Sequence, residues 1–150
     1  MFLFLFCFLS NLVPVLSWAM LTARNYARVW INGKYISWPR NNGKWNIAQN
    51  YTFEGHWKVM AVTILGIGLR WGFVASFSDG SVTSATSGWK CTGKLWWYQP
   101  QFPWSEVDFD DNHWPKADEF NDTKVDGIDR KAKWIGSRFG FSFMLCRRKF

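Results

Sequence analysis

Leu69-Arg-Trp-Gly-Phe-Val-Ala-Ser-Phe-Ser78 gives the clearest indication of the fold class, because its side chains alternate with a period of two. One face carries the apolar side chains of Leu69, Trp71, Phe73, Ala75 and Phe77, and the other carries Arg70, Gly72, Val74, Ser76 and Ser78. Alternation of this kind is typical of a β-strand with one buried and one largely solvated face. Asp79-Gly80 follows directly and predicts a hairpin turn into residues 81–84.

Segments between residues 27 and 65 are also predicted to form strands. Residues 57–65 are mostly apolar and rich in β-branched side chains, which predicts a central strand covered on both sides. Asn32-Gly33 separates the strand-like runs 27–31 and 34–38, and this dipeptide is typical of a type I′ hairpin turn.

The rest of the chain completes an all-β interpretation. Residues 141–145 repeat the alternation and predict the last strand, whereas no window shows an apolar period of 3.6 residues. Pro100 and Pro103 indicate an irregular segment, and the polar residues 121–130 indicate a surface loop. We therefore predict an antiparallel β-sandwich of the jelly-roll type.

The N-terminal residues predict a secretory signal. An apolar run of about 15 residues precedes the first charged side chain, Arg24, and Ser17-Trp-Ala19 supplies a small-x-small exit. We expect a signal peptide over residues 1–19, cleavage before Met20, and a secreted, extracellular domain over residues 20–150. The alternatives are an uncleaved anchor and a truncated gene model, since the run lacks Lys and Arg.

Secretion changes the interpretation of the cysteines. Cys7 would leave with the signal, so Cys91 and Cys146 would remain and are expected to form a disulfide; two buried thiols are the alternative. Asn50-Tyr-Thr52 and Asn121-Asp-Thr123 are both acceptors for N-glycosylation in a secreted chain.

Charge is unevenly distributed along the chain. The net charge is +7, yet nine of the 11 acidic residues lie between Glu106 and Asp129. This distribution predicts a dipolar surface. If the protein is secreted, its basic region is expected to bind sulfated polysaccharide rather than nucleic acid. The alternative is that the Lys and Arg side chains simply lie on solvated strand faces.

Several segments together resemble the galactose-binding-like jelly-roll domains of invertebrate secreted proteins and of glycosidase accessory modules. Residues 109–117, Phe-Asp-Asp-Asn-His-Trp-Pro-Lys-Ala, are the most specific, with Asn112 where the family usually has Ser. The other matching segments are 21–34, 72–75 with Asp79-Gly80, 87–91, 132–136 and 146–150. The resemblance covers residues 21–150 and implies a jelly roll with a tendency toward glycan recognition, but no particular sugar.

The acidic residues between Asp108 and Glu119 are candidates for a metal site. Asp108, Asp110, Asn112 and Glu119 match positions of an EF-hand loop, but His113 stands where that loop needs Gly. The upstream prolines also oppose an entering helix. We expect no metal or cofactor and interpret the Asp side chains as turn-forming acceptors for backbone amides; a different calcium site stays an alternative.

Nothing in the sequence marks a catalytic centre. Asp110 and Asp111 are adjacent, so on an extended backbone they point to opposite faces, unlike the paired carboxylates of glycosidases. His56 and His113 are the only histidines, and no nucleophile motif accompanies either. We expect a protein that is not an enzyme.

Aromatic residues are the better functional lead. The chain has 12 tryptophans, 11 of them after the expected cleavage point because Trp18 alone precedes it. We predict a carbohydrate-binding platform of Trp96, Trp97, Tyr98 and Trp104, since sugars stack on flat rings. The alternative is that these rings cover a sheet edge or an interface. Structural roles are expected for Trp30, Trp57, Trp71, Trp89, Trp114 and Trp134.

These observations predict a secreted, lectin-like module that binds glycan or sulfated polysaccharide, without stable membrane insertion after signal cleavage. The rival hypotheses are an extracellular matrix protein that assembles through aromatic and basic surfaces, and a detached accessory domain of a glycosidase. Oligomeric state is left open by the sequence.

Overall fold

The computed structural model describes residues 15–36, 44–66, 72–94, 103–139 and 143–150. These residues form strands and turns without a helix, and so include no helical segment that could cross a membrane. The strands are β1 (Leu16–Ala23), β2 (Tyr26–Ile31), β3 (Lys34–Ile36), β4 (Gln49–Glu54), β5 (Val59–Leu65), β6 (Phe73–Phe77), β7 (Lys90–Thr92), β8 (Asp118–Phe120), β9 (Trp134–Gly136) and β10 (Phe143–Lys149).

Two antiparallel sheets of five strands pack face to face, which confirms the predicted β-sandwich. Sheet A has the order β4-β1-β6-β9-β8, and sheet B has the order β3-β2-β5-β10-β7. Most connections carry the chain from one sheet to the other, so both sheets are built from residues far apart in sequence. The interior between them is apolar and includes Leu21, Val29, Tyr51, Met60, Val62, Ile64, Phe73, Phe77, Trp89, Ile135 and Met144.

The two best-defined predictions of local structure are confirmed. Every residue of β5 from Val59 to Ile64 is buried, because alternate side chains enter the interior and the outer face of sheet B is also covered. Asn32 and Gly33 have φ values of 50° and 81°, as a type I′ turn requires, and they join β2 to β3.

The prediction of a solvated face on β6 is wrong. Val74 and Ser76 are buried, because residues 121–133 fold across the outer face of sheet A and insert Val125, Ile128 and Ala132. The predicted surface loop at 121–130 is therefore a covering layer. Residues 69–71 of the same alternating stretch lie outside the described residues.

The turn at Asp79-Gly80 forms, but the predicted second strand of its hairpin does not extend. Gly80 has a φ of 82° and its amide donates to the carbonyl of Phe77. Beyond the turn, only Ser76 and Val82 form a bridge.

Strand β1 is not predicted by the sequence, because its first residues overlap the predicted signal peptide. It begins at Leu16 and lies between β4 and β6, with Ala19 paired to Tyr51 on one side and to Phe77 on the other. Cleavage before Met20 would remove half of this interior strand and the fully buried Ala19. The expected cleavage point stays a prediction that the fold disfavours.

We expect any processed form of the folded protein to begin before Leu16. A chain that starts at Met20 loses the pairing of Leu16–Ala19 with β4 and should be markedly less stable. N-terminal sequencing and intact mass of secreted protein measure this directly. Recovery of a stable, monodisperse chain that starts at Met20 would contradict the expectation.

The expected disulfide is present. Cys91 of β7 and Cys146 of β10 are directly opposite each other, both are fully buried, and they are 55 residues apart in sequence. The bond ties the edge strand of sheet B to its neighbour.

Replacing both cysteines with alanine should lower the free energy of unfolding by about 4 kcal/mol. Without the cross-link, the unfolded chain gains conformational entropy and becomes more favourable relative to the folded state. Chemical denaturation of the double variant and of the oxidised wild type gives the difference. A difference below about 1 kcal/mol would show that the loop closure contributes little here.

Candidate binding cleft

Residues 103–117, here called the B-cover, lie over the outer face of sheet B. Trp104, Phe109 and Trp114 pack on the outward side chains of β5 and β10. The Trp104 and Trp114 rings stack with centroids 6.4 Å apart, and Phe109 meets Trp114 edge-on at 5.7 Å. This aromatic cluster makes the B-cover an integral layer of the fold.

Arg147 of β10 fixes the B-cover to the sheet. Its side chain is fully buried and donates from Nη1 to Asp111 Oδ2 and to the Phe109 carbonyl at 3.1 Å. Nη2 donates to the Glu106 carbonyl at 2.8 Å. Lys90 of β7 donates to the other Asp111 oxygen, Oδ1, at 2.8 Å. One carboxylate therefore joins two strands of sheet B to the layer above them.

The environment of Asp111 favours its ionised form. Burial by itself would raise the pKa of this carboxyl, but the hydrogen bond from Lys90 and the positive charge of Arg147 outweigh that effect. The net result is a pKa below the ordinary value. The ion pair is thus intact at neutral pH and weakens only in acid.

A second carboxylate, Asp122, anchors the layer over sheet A. It accepts from Arg24 Nε at 2.9 Å, and the Arg24 guanidinium lies 4.0 Å from the centroid of the Trp45 ring. Asp118 likewise pairs with Arg138. Folding therefore neutralises part of the acidic segment with basic residues from elsewhere, so the predicted dipolar surface is weaker than the linear sequence suggests.

The acidic run forms turns. Asp110 Oδ1 accepts the amide of Asn112 at 2.9 Å, which confirms the turn-forming role expected for this side chain. Within the described ranges, no group of three His, Cys, Asp or Glu residues is arranged to hold a metal ion.

A cleft opens where β7 and β9 end, at one end of the sandwich. Its volume is about 460 Å³, within the size range of small-ligand sites. Among the described residues, three short segments line it, one at the end of β7, one from the B-cover and one after β9: Thr92, Gly93 and Lys94; His113, Trp114 and Pro115; Ser137 and Phe139.

Each wall of the cleft is held by the fold. The Pro115 carbonyl accepts the amide of Cys91 at 3.1 Å, next to the disulfide. On the opposite wall, Gly136 lies so close to Met144 of β10 that an added Cβ would approach its terminal carbon to 2.9 Å. The cleft is therefore formed by backbone that is anchored in the core rather than by isolated loops.

The lining combines apolar and polar chemistry. Phe139 is 82% exposed, and its ring is the most exposed large apolar side chain among the described residues. Hydroxyl groups come from Thr92 and Ser137, an ammonium from Lys94 and an imidazole from His113. Among these lining residues there is no Asp or Glu, the residues on which glycoside hydrolysis depends.

The predicted platform is only partly described. Trp96, Trp97 and Tyr98 lie outside the described residues, so their predicted role stays a prediction. Trp104 is 5% exposed and contacts Trp30 as well as Trp114. We therefore assign Trp104 a packing role, because a ring enclosed in this way offers no face to a sugar.

Packing explains much of the tryptophan content. Trp57 and Trp89 fill the interior, Trp114 and Trp104 belong to the B-cover, and Trp134 lies under the layer on sheet A. The structural roles predicted for Trp57, Trp89, Trp114 and Trp134 are confirmed by their burial, Trp30 is half-buried against the B-cover cluster, and Trp71 lies outside the described residues.

The cleft residues carried little signal in the sequence. Thr92, Lys94, Ser137 and Phe139 belong to no motif, and they meet only because β7 and β9 end at the same end of the sandwich. His113, Trp114 and Pro115 lie in the family-like segment 109–117, but no pattern there predicts a binding role for them. Asn50 and Asn121, the two predicted glycosylation sites, are both exposed and lie outside this cleft.

No protein-family model, curated protein or solved structure matches this chain. The β-sandwich agrees with the fold class that the galactose-binding-like resemblance implies, and membership of that family stays a prediction.

Replacing Asp111 with Asn should destabilise the protein by about 3 kcal/mol, because a buried Arg147 would lose its ionised partner. Asp110→Asn is the matched control, since Asp110 is exposed and bonds only its own turn among the described residues. Urea denaturation at pH 7 measures both.

The same pair predicts the pH dependence. Because the folded pKa of Asp111 is lowered, the stabilisation is present above the unfolded value of about 3.9 and is lost as pH falls through the folded value. Asp111→Asn should therefore lose less stability than wild type between pH 5 and acid. If the free energy of unfolding fell equally with pH in the two proteins, the pH dependence would not come from ionisation of Asp111.

Proposed function

We propose that this chain is a secreted, non-catalytic carbohydrate-binding module that holds its ligand in the cleft between Lys94, His113 and Phe139. The observation that carries the proposal is the exposed Phe139 ring beside hydroxyl and cationic groups in a cleft of sugar-sized volume. A pyranose has an apolar C–H face and a rim of hydroxyls, so it needs these two kinds of partner.

The positions of the polar groups support this ligand class. The Ser137 hydroxyl accepts the amide of Phe139 at 3.3 Å, and the Thr92 hydroxyl accepts the amide of Lys94 at 3.2 Å. Each hydroxyl is thereby held at the cleft lining by its own turn, and a hydroxyl that accepts one hydrogen bond can still donate its own O–H. Lys94 and His113 are exposed at the rim and suit a sulfated or otherwise anionic glycan.

A glycan array that includes sulfated polysaccharides tests the proposal. Phe139→Ala should weaken binding roughly 5- to 10-fold, as expected for one lost ring contact of about 1 kcal/mol. Tyr35→Ala is the matched control: Tyr35 is an aromatic side chain, 44% exposed, on β3 at the opposite edge of sheet B. Tyr35→Ala should leave affinity unchanged.

Lys94→Met separates the two glycan classes. For a sulfated ligand the variant should lose affinity and show a weaker dependence on salt, because one screened charge contact is gone. For a neutral sugar it should bind as wild type does. Trp97→Ala examines the platform predicted from sequence in the same assay.

Three outcomes would contradict the proposed function. An empty array combined with concentration-dependent self-association would favour the matrix-assembly hypothesis, and hydrolysis of aryl glycosides by pure protein would overturn the non-catalytic assignment. Binding that survives Phe139→Ala with unchanged affinity would show that the sugar lies elsewhere.

A further inference from the structure

The outward face of β1 carries an apolar stripe that the other described residues leave exposed. Leu16 is 61% exposed and Trp18 is 39% exposed, while Met20, next on the same face, is half-buried against the layer on sheet A. Among the described residues, that layer covers the β6 side of the sheet at Val74 but leaves Leu16 and Trp18 open.

A glycosylation sequon lies directly beside this stripe. Strand β4 is antiparallel to β1, with Asn50 opposite Met20 and Thr52 opposite Trp18. Asn50 and Thr52 are exposed, whereas Tyr51 between them is buried in the interior, so both sequon side chains share the outward face with Trp18. Diagonal neighbours on one face are about 7 Å apart, so a group attached to Asn50 reaches the Trp18 ring.

Strand β4, which carries this sequon, is also an edge strand of sheet A. β4 and β8 are the two edge strands of sheet A, and the second sequon, at Asn121, follows the end of β8 directly. Open edges and exposed apolar side chains both promote association between copies of a protein, and natural sheets protect them. Both sequons are therefore at the edges where a bulky, hydrated group hinders strand pairing.

We propose that Asn50 carries an N-linked glycan whose first sugars pack on Trp18 and Leu16 and shield the β4 edge. The donor is a lipid-linked oligosaccharide diphosphate of the secretory pathway. A bond forms between the anomeric carbon of the oligosaccharide and Asn50 Nδ2, the bond from that carbon to the diphosphate breaks, and the amide nitrogen gives up one proton. The diphosphate leaves on its lipid.

Asn121 supplies an internal control. It is exposed and in a complete sequon, but Trp134, which lines the same small pocket as Asn121, is almost fully buried. A glycan at Asn121 would therefore hydrate the β8 edge, and Trp134 offers it no open ring comparable to Trp18. The proposal predicts different consequences for removal of the two glycans.

The experiment uses the full chain secreted from a eukaryotic host. Mass spectrometry of glycopeptides reports occupancy at each site, and intact mass reports the mature N-terminus. Asn50→Gln and Thr52→Ala should both abolish the glycan, lower the melting temperature by about 3 to 5 °C and increase self-association. Thr52→Ser should retain the glycan and wild-type behaviour, and Asn121→Gln should shift the melting temperature by less than about 1 °C.

Trp18→Thr tests the packing itself. In that background, removal of the Asn50 glycan should no longer lower the melting temperature, and enzymatic deglycosylation of folded wild-type protein should reproduce the loss seen with Asn50→Gln. An unoccupied Asn50, equal shifts for Asn50→Gln and Asn121→Gln, an undiminished shift in the Trp18→Thr background, or a mature chain that begins at Met20 would each overturn the proposal. None of these outcomes depends on ligand binding in the end cleft.

Discussion

Arg147 is a charged side chain in the middle of a buried strand, and the outer layer on sheet B is arranged around it. A buried guanidinium needs a partner for its charge, and here Asp111 of the B-cover supplies the carboxylate while the Glu106 and Phe109 carbonyls accept from the two terminal nitrogens. Once those contacts form, the B-cover encloses its aromatic rings against β5 and β10. The same segment then continues to Pro115 and forms one wall of the cleft.

Both sheets follow the same plan of an interior face and an exterior face that is covered over its central strands. On sheet A the cover is residues 121–133, held in part by Arg24 and Asp122. A chain of this size thereby buries strands on two sides, which explains why β5 and β6 have almost no solvated residues. It also explains a tryptophan content that exceeds the needs of the interior alone, because the large rings close the outer layers.

The cleft depends on this layered construction. The lining residues that the structure describes come from three separate segments. Each of these segments is fixed to a core strand by the disulfide, by a backbone hydrogen bond or by close packing at Gly136. Sites supported in this way lose little conformational entropy on binding a ligand. In contrast, the stripe beside Asn50 lies on a regular strand, where the pairing register alone determines which side chains are neighbours.

Four features could be predicted from the amino-acid sequence alone: the fold class, the hairpin at Asn32-Gly33, the doubly covered β5 and the cysteine pair. Periodicity, turn residues and cysteine number are local or countable properties, which is why these predictions succeeded. The sequence did not indicate β1, because the apolar residues of this strand satisfy the pattern of a signal peptide as well as that of a strand. It also placed Trp104 in an exposed platform, whereas this ring is enclosed by the B-cover cluster. Burial of Ser76, Arg147 and Trp104 was decided by the covering segments, which arrive from distant parts of the chain. The meeting of Lys94, His113 and Phe139 was likewise decided by the tertiary structure, because residues without a shared motif become neighbours only through the order of strands in the two sheets.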